Sequence, residues 1–268
     1  MKSKRLGSEI IRLALPATIE NIFQTLVGFF DTLLIAQLGL VAVTAVGLAN
    51  TILNVYLAVF LAIGVGGTAL IARSLGAGQK EKARQFARQT QEFSIAGGIV
   101  FGFISIFFGR WMLQAMGASG SALEDAQVFF YWVGGFSLLH ASMTSLGTIL
   151  RATGDTVTPM KVGIITNVTN VLLDYFLIFG FGSWDGLGIL GTALGTIFAR
   201  LLGCYLLTRE VQKSELALSF QKSRLRKDYQ ELVHLTIPAA LERLVMRMGQ
   251  VIYFSLIVAL GTTVYASH

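Results

Sequence analysis

Long apolar runs separated by short polar segments dominate this chain. A helix needs about 20 mostly apolar residues to cross the hydrocarbon core of a bilayer. Seven runs meet that length, at about 12–38, 46–72, 91–115, 125–150, 159–181, 187–209 and 235–260. The pattern therefore predicts an all-α, polytopic membrane protein whose seven spanning helices are surrounded by membrane lipid.

The positions of lysine and arginine predict how these helices are oriented. Basic side chains concentrate before the first run and after the second, fourth and sixth runs, whereas loops 39–45, 117–123 and 182–186 contain none. Short loops that are rich in Lys and Arg stay on the cytoplasmic side. We therefore expect a multi-pass protein of the plasma (inner) membrane with a cytoplasmic N-terminus.

Composition narrows the class of protein further. Hydrophobic residues make up 54% of the chain and charged residues 13%, and the formal net charge is +6. The basic residues are spread over short loops between apolar runs, so the charge fits membrane orientation better than nucleic-acid binding. The single cysteine, Cys204, has no second thiol for a disulfide or a thiolate metal site.

The end of the chain repeats its beginning. Pro16 and Glu20 match Pro238 and Glu242 at a constant offset of 222 residues. Six predicted helices separate the two copies, so both copies start on the same side of the membrane, as in a parallel repeat. We therefore predict a six-helix N-lobe and the first helix of a C-lobe whose other five helices are missing.

The predicted domains follow from this repeat: an N-terminal transmembrane lobe over 1–212, a cytoplasmic inter-lobe linker over 213–234, and the first C-lobe helix over 235–268. The linker is long, basic and amphipathic, with Leu216 and Leu232 among its apolar residues. This pattern favours an interfacial helix, and a solvated linker with scattered apolar residues is the alternative.

Asp174 is an acid within the fifth apolar run. Residues three and four apart share a face of a helix, so Asp174 continues a polar stripe with Asn170, Asn167 or Thr166, and Gly163. A carboxylate near the centre of a membrane helix costs about 2.5 to 3.5 kcal/mol, so it normally faces a bundle interior or a watery cavity. The stripe therefore indicates an ion or substrate path.

Asp31 is a second acid within an apolar run. It follows Pro16 by 15 residues, and Asp174 follows Pro159 by the same number, so both carboxylates are expected at a similar depth in the outer half of the membrane. Two such acids could share a proton or hold a cation such as sodium between them. The alternative is that each acid only hydrogen-bonds nearby Ser, Thr or Asn.

Four further residues are candidates for the site. Asn170 could contribute its amide oxygen to the cation shell or could only join helices, and Thr196 could ligate or could line a helix contact. His140 has no other His or Cys at ligand spacing, so a satisfied buried histidine is favoured over a metal site, while a proton relay stays open. With Asn167, it is a candidate for the substrate cavity.

Pro16 allows two interpretations. Proline is tolerated in the first turn of a helix, and in a helix interior it removes a backbone hydrogen bond and permits a bend. The repeat at Pro238 favours the second interpretation, in which the bend responds to the charge on Asp31.

The chain resembles the multidrug and toxic compound extrusion (MATE) family, in particular its DNA-damage-inducible F-type (DinF-like) branch. The resemblance extends from about Ile10 to the end and depends on Leu15-Pro16, Asp31-Thr32, Leu38-Gly39, Gly76-Ala77-Gly78, Lys82-Ala83-Arg84, Leu150 to Thr156, Pro159, Asn170, Asp174 and Gly188 to Thr196. It implies a twelve-helix, two-lobed antiporter that exports small cationic or amphipathic drugs in exchange for protons or sodium, without another cofactor.

The resemblance also implies roles for individual residues. The family's N-lobe cation site is similar to Asp31, Asn170, Asp174 and Thr196, and its bending proline corresponds to Pro16. The chain lacks most of the C-lobe that the family's transport cycle uses.

Three other classes of protein fit the sequence less well. A lipid-linked oligosaccharide flippase would line its cavity with several Arg or Lys, whereas the candidates here are acids and amides, which favour cationic cargo. A seven-helix receptor disagrees with the cytoplasmic N-terminus and the repeat, and the seventh run contains no Lys for a retinal Schiff base. An enzyme is not expected, because no nucleophile, base and orienting group converge.

Overall fold

The computed structural model describes residues 2–181, 184–218 and 228–259 of the chain. Eight α-helices lie within these ranges: α1 (Lys2–Ala36), α2 (Leu40–Gly76), α3 (Lys80–Ala115), α4 (Gly120–Gly135), α5 (Ser137–Ala152), α6 (Val157–Phe179), α7 (Ile189–Lys213) and α8 (Asp228–Ala259). Strands β1 (Gly180–Phe181) and β2 (Trp184–Asp185) pair antiparallel between α6 and α7. The prediction of an all-α polytopic fold is confirmed.

The spans largely follow the apolar runs. In the described part of the chain, α1, α2, α3, α6 and α7 are each long and apolar enough to cross a membrane, and α4 with α5 forms a sixth, bent span. α8 is not among these spans over its described residues, where it carries Glu242, Arg243 and Arg247. We call the end of the bundle at which α1 begins the basic end, and the end at which α1 finishes the opposite end.

The fourth predicted span, 125–150, differs from the prediction because it is not one straight helix. α4 and α5 meet at Phe136 with a bend of 47°. Gly134 and Gly135 precede the break, and the Ser137 hydroxyl donates a hydrogen bond to the Gly134 carbonyl. Glycine weakens a helix and a serine hydroxyl can take a carbonyl out of the helical ladder, so this Gly-Gly-Phe-Ser sequence bends the chain.

α2 is the central helix and packs against α3, α4, α5 and α8. Its glycines allow these close approaches. A Cβ at Gly64 would lie 2.8 Å from Oγ1 of Thr148 on α5, and one at Gly66 would lie 2.9 Å from Oγ1 of Thr236 on α8. Neighbouring helices therefore occupy the space that larger side chains would need.

The linker differs from the predicted interfacial helix. α7 ends at Lys213, residues 214–218 are not helical, residues 219–227 lie outside the described part of the chain, and α8 already begins at Asp228. Leu216 and Leu232 are both fully buried among apolar residues of the bundle. These two residues of the amphipathic pattern therefore pack inside the protein.

α1 lies at the edge of the bundle. It packs mainly against α6 and makes fewer contacts with α2. Large apolar side chains along it, including Leu26, Phe29 and Phe30, are exposed. Among the described residues, α6 is thus the main neighbour of α1.

Candidate functional site

Asp31 and Asp174 face each other near the opposite end of the bundle. Each lies five residues before the end of its helix, at Ala36 for α1 and Phe179 for α6, so the two carboxylates are at the same depth. They are close enough to interact electrostatically. Asp174 is only 1% exposed, while Asp31 is partly buried.

Polar atoms at this pair lack hydrogen-bond partners. Oδ1 of Asp31, Oδ1 of Asp174 and Nδ2 of Asn170 are all buried, and none has a partner among the described residues. A buried polar atom without a partner costs about 1 to 3 kcal/mol. Carboxylate oxygens are acceptors that a proton or a hard cation satisfies, so the donor set fits either ion.

α7 closes the site from a second side. Gly195 lies so close to Asp174 that a Cβ at this position would overlap Oδ1 of the carboxylate. The next residue, Thr196, is partly buried, and its hydroxyl donates a 3.0 Å hydrogen bond to the Thr192 carbonyl. Its oxygen keeps lone pairs for a further contact.

A cavity of about 500 Å³ lies between α1, α2, α5, α6 and α7. Four predicted site residues, Asn167, Asn170, Thr196 and His140, line it. Asn170 connects the cavity to the acids, because Asp174 follows it by one helical turn. The cavity thus contains Asn170 and Thr196 of the predicted cation site together with the predicted substrate residues Asn167 and His140, while Asp31 and Asp174 are not among its lining residues.

The structure places His140 near the start of α5 and Pro16 inside α1. His140 lies in the first turn of α5, after the bend, with its ring 6.1 Å from the Phe60 ring. No group of three or more His, Cys, Asp and Glu that could hold a metal occurs in the described part of the chain. Pro16 lies inside α1, well beyond its start at Lys2, so the first-turn interpretation is wrong.

Glu20 and Arg151 form an ion pair across the basic side of the cavity. Nη2 of Arg151 donates to both carboxylate oxygens of Glu20, each at 2.8 Å. Gly147 and Gly163 make room for these side chains, since a Cβ would lie 3.2 Å from Nη1 of Arg151 and 3.5 Å from Oε1 of Glu20. The pair joins α1 to α5. Its two residues are 131 positions apart in the sequence, so the pattern of apolar runs could not predict their contact.

Arg200 is a cavity residue that the sequence interpretation missed. It lies on α7 one turn beyond Thr196 and lines the cavity together with Arg151. The expectation that only acids and amides face this space is therefore wrong. The signal was available: Arg200 is a charge inside an apolar run, the same criterion that singled out Asp174.

Comparison with known proteins gives a consistent result. The MatE family model matches residues 16–176. The chain is similar to the probable multidrug resistance protein NorM of Thermotoga maritima, with 31% identity over 98% of this chain and 57% of that protein. It is also similar to the uncharacterized transporter YisQ of Bacillus subtilis, with 32% identity over 97% of this chain and 59% of that protein.

Solved structures share the fold. The Vibrio cholerae MATE transporter VcmN in the bent form matches with a TM-score of 0.88 and 24% identity, over 98% of this chain and 59% of that chain. This chain therefore spans a little more than half the length of the relatives that it matches. With the family model matching more than half of its residues, the chain belongs to the MATE family of membrane transporters.

Proposed function

We propose that this chain performs the N-lobe part of secondary active multidrug efflux. It exports cationic or amphipathic organic compounds in exchange for protons or sodium across the plasma membrane, with its N-terminus in the cytoplasm. The observation that carries the proposal is the pair of facing acids, Asp31 and Asp174, whose buried Oδ1 atoms have no hydrogen-bond partner among the described residues. The name of the similar Thermotoga maritima protein, probable multidrug resistance protein NorM, supports multidrug efflux.

In this mechanism, the ionised pair is the coupling site. Protons or sodium that enter from outside bind Asp31 and Asp174, with Asn170 and Thr196 as neighbours that complete the shell. Neutralising the pair removes the repulsion between two carboxylates at one depth and lets α1 pack differently against α6. α1 bends at Pro16, where the backbone lacks a hydrogen bond, and the cargo is released.

Alternating access needs both lobes. Parallel repeats in transporters move largely as rigid bodies around a site between them. The partners of this chain are therefore the remaining C-lobe helices, the membrane lipid and small cationic or amphipathic drugs.

A second function is favoured by one observation. Arg151 and Arg200 line the cavity, and a lipid-linked oligosaccharide flippase would use such groups for a diphosphate. Arg151, however, is neutralised by Glu20, so a single unpaired arginine remains. Antiport of drugs is the stronger proposal, while the seven-helix receptor is set aside by membership of the MATE family.

The test is ethidium efflux from proteoliposomes that contain this chain together with the remaining C-lobe helices, driven by a proton gradient or by a sodium gradient. We expect efflux under one of them, and a loss of about tenfold or more in Asp31→Asn and Asp174→Asn, because each loses a charged ligand worth about 1.5 to 3 kcal/mol. Glu124→Gln, which removes an exposed acid on α4, is the matched control and should retain efflux. Equal efflux in all variants would refute the coupling role, and no efflux under either gradient would favour the flippase.

A further inference from the structure

Arg200 is a cation in the middle of a membrane-spanning bundle. It lies 13 residues before the end of α7 at Lys213, about 20 Å from the basic end of the helix at 1.5 Å per residue. An arginine at such a depth is costly, and in membrane proteins it normally pairs with another group or lines a watery path. The Arg200 guanidinium is therefore expected to bind another group.

Within the described residues, no carboxylate forms an ion pair with Arg200. Its guanidinium forms neither an ion pair nor a hydrogen bond with any residue in the described ranges, whereas Arg151 in the same cavity is bonded to Glu20. Its electrostatic neighbours are His140 and Cys204, neither of which is a carboxylate. Arg200 therefore leaves one uncompensated positive charge on the cavity wall.

The surrounding contacts hold Arg200 in this position. The Cys204 thiol, one turn further along α7, donates a 3.2 Å hydrogen bond to the Leu139 carbonyl on α5. At Gly203, a Cβ would lie 2.7 Å from Oγ1 of Thr166, so α7 also packs tightly on α6 here. These contacts fix the turn of α7 that carries Arg200 against the turn of α5 that carries His140.

The cavity around Arg200 combines polar and apolar walls. Asn167 and Thr144 lie on the polar side, and Leu57, Leu61 and Met143 supply apolar surface. Its volume of about 500 Å³ is within the range of small-molecule sites. A guanidinium presents a planar set of donors that matches the two oxygens of a carboxylate or phosphate.

We propose that Arg200 binds the oxyanion, a carboxylate or a phosphate, of an amphipathic ligand whose apolar part lies against Leu57, Leu61 and Met143. This inference rests on the proposed function in one respect, namely that the ligand is a transported compound. It extends the cargo from cations to compounds that carry an acidic group.

The experiment measures binding to this chain in phosphatidylcholine nanodiscs, without an ion gradient. Dansylglycine is the probe, and its methyl ester has the same aromatic body without the carboxylate. We expect Arg200→Gln to weaken dansylglycine binding by about tenfold or more, since a charged hydrogen bond is lost, and to leave the ester unchanged. Arg200→Lys keeps the charge without the planar donor set and should show a smaller loss.

Arg209→Gln is the matched control, because it removes an exposed arginine from the same helix. It should bind both compounds as the parent does. Equal dansylglycine affinity in the parent and Arg200→Gln would overturn the proposal, as would the absence of binding to the parent. An equal loss for the ester would also overturn it, since that result means a structural role for Arg200.

A further arm identifies the natural source of the oxyanion. Phosphatidylglycerol is added to the nanodiscs, and its competition with dansylglycine is compared in the parent and in Arg200→Gln. Competition that needs Arg200 assigns the site to the headgroup of an anionic lipid, and its absence assigns the site to a soluble acid. Because no gradient is applied and both acids stay intact, failure of coupling at Asp31 and Asp174 would leave this result unaffected.

Discussion

Gly195 determines how closely α7 approaches the Asp174 carboxylate. Its Cα hydrogen faces Oδ1, and a methyl group would overlap that atom. Asp174 has little room to move, since it is almost completely buried on α6. A single small residue thus keeps the acid, the Thr196 hydroxyl and the α6–α7 contact together.

We predict that Gly195→Ala lowers the free energy of unfolding by about 1 to 3 kcal/mol, as overpacking of a tight contact does. It should also reduce efflux, because the carboxylate must turn away from the site. Thermal unfolding in detergent measures the first effect. Gly47→Ala is the control, because a Cβ there meets no atom within 4 Å, and it should be neutral or stabilising. Equal unfolding temperatures for both variants would contradict the prediction.

At the scale of elements, α1 is the mobile candidate and two features govern it. Its packing is mostly against α6, and an ion pair joins Glu20 to Arg151 of α5. Pro16 lies one turn before Glu20, inside the helix. The ion pair therefore anchors α1 next to the point where its backbone is weakest.

The anchor is tested with a double-mutant cycle of Glu20→Gln and Arg151→Gln. Glu20 keeps 14% and Arg151 36% of its side-chain surface exposed, so screening by water limits the expected coupling energy to about 1 kcal/mol. Thermal unfolding of the parent, the two single variants and the double variant gives this energy. Strictly additive losses would show that the pair does not stabilise the position of α1.

Pro16 is the position at which α1 lacks a backbone hydrogen bond. We predict that Pro16→Ala raises the stability of the protein and lowers its transport. Alanine restores the amide of residue 16, so the helix gains up to about 3 kcal/mol, while a stiffer α1 exports less ethidium. Pro159→Ala is the control, since Pro159 lies in the first turn of α6 where no helical bond is missing. Undiminished efflux by Pro16→Ala would remove the bend from the mechanism.

At the scale of the whole molecule, α8 is part of the same bundle as the first six spans. Thr236 packs on Gly66 of α2, and the Tyr229 hydroxyl donates a hydrogen bond to the Glu92 carboxylate of α3. Burial, followed by this hydrogen bond and the negative charge of Glu92, raises the pKa of Tyr229 from 10.0 to about 12. The first turns of α8 are therefore attached through a protonated tyrosine.

A raised pKa means that folding favours the protonated phenol. The stabilisation is complete below the ordinary tyrosine pKa near 10 and is lost as the pH rises through about 12. We therefore expect the difference in unfolding temperature between the parent and Tyr229→Phe to shrink between about pH 10 and pH 12. Difference absorbance of the tyrosinate gives the pKa directly, and a constant difference in unfolding temperature would refute the attachment.

The membrane class, the order of the spans and the expected similar depth of Asp31 and Asp174 follow from the amino-acid sequence alone. These properties depend on composition and on spacing along single helices, such as the equal distances from Pro16 to Asp31 and from Pro159 to Asp174. The residues around Phe136 also indicated the bend, because Gly134, Gly135 and Ser137 weaken a straight helix. The apolar run alone could not distinguish one helix from two.

Which polar groups have partners depends on the tertiary structure. Glu20 and Arg151 neutralise each other across 131 residues, whereas Arg200 on the same cavity has no such partner among the described residues. It also placed Leu216 and Leu232 in the core, although their spacing suggested a membrane surface. The physical reason is that pairing and burial depend on contacts between helices, and those contacts are set by packing of the whole bundle.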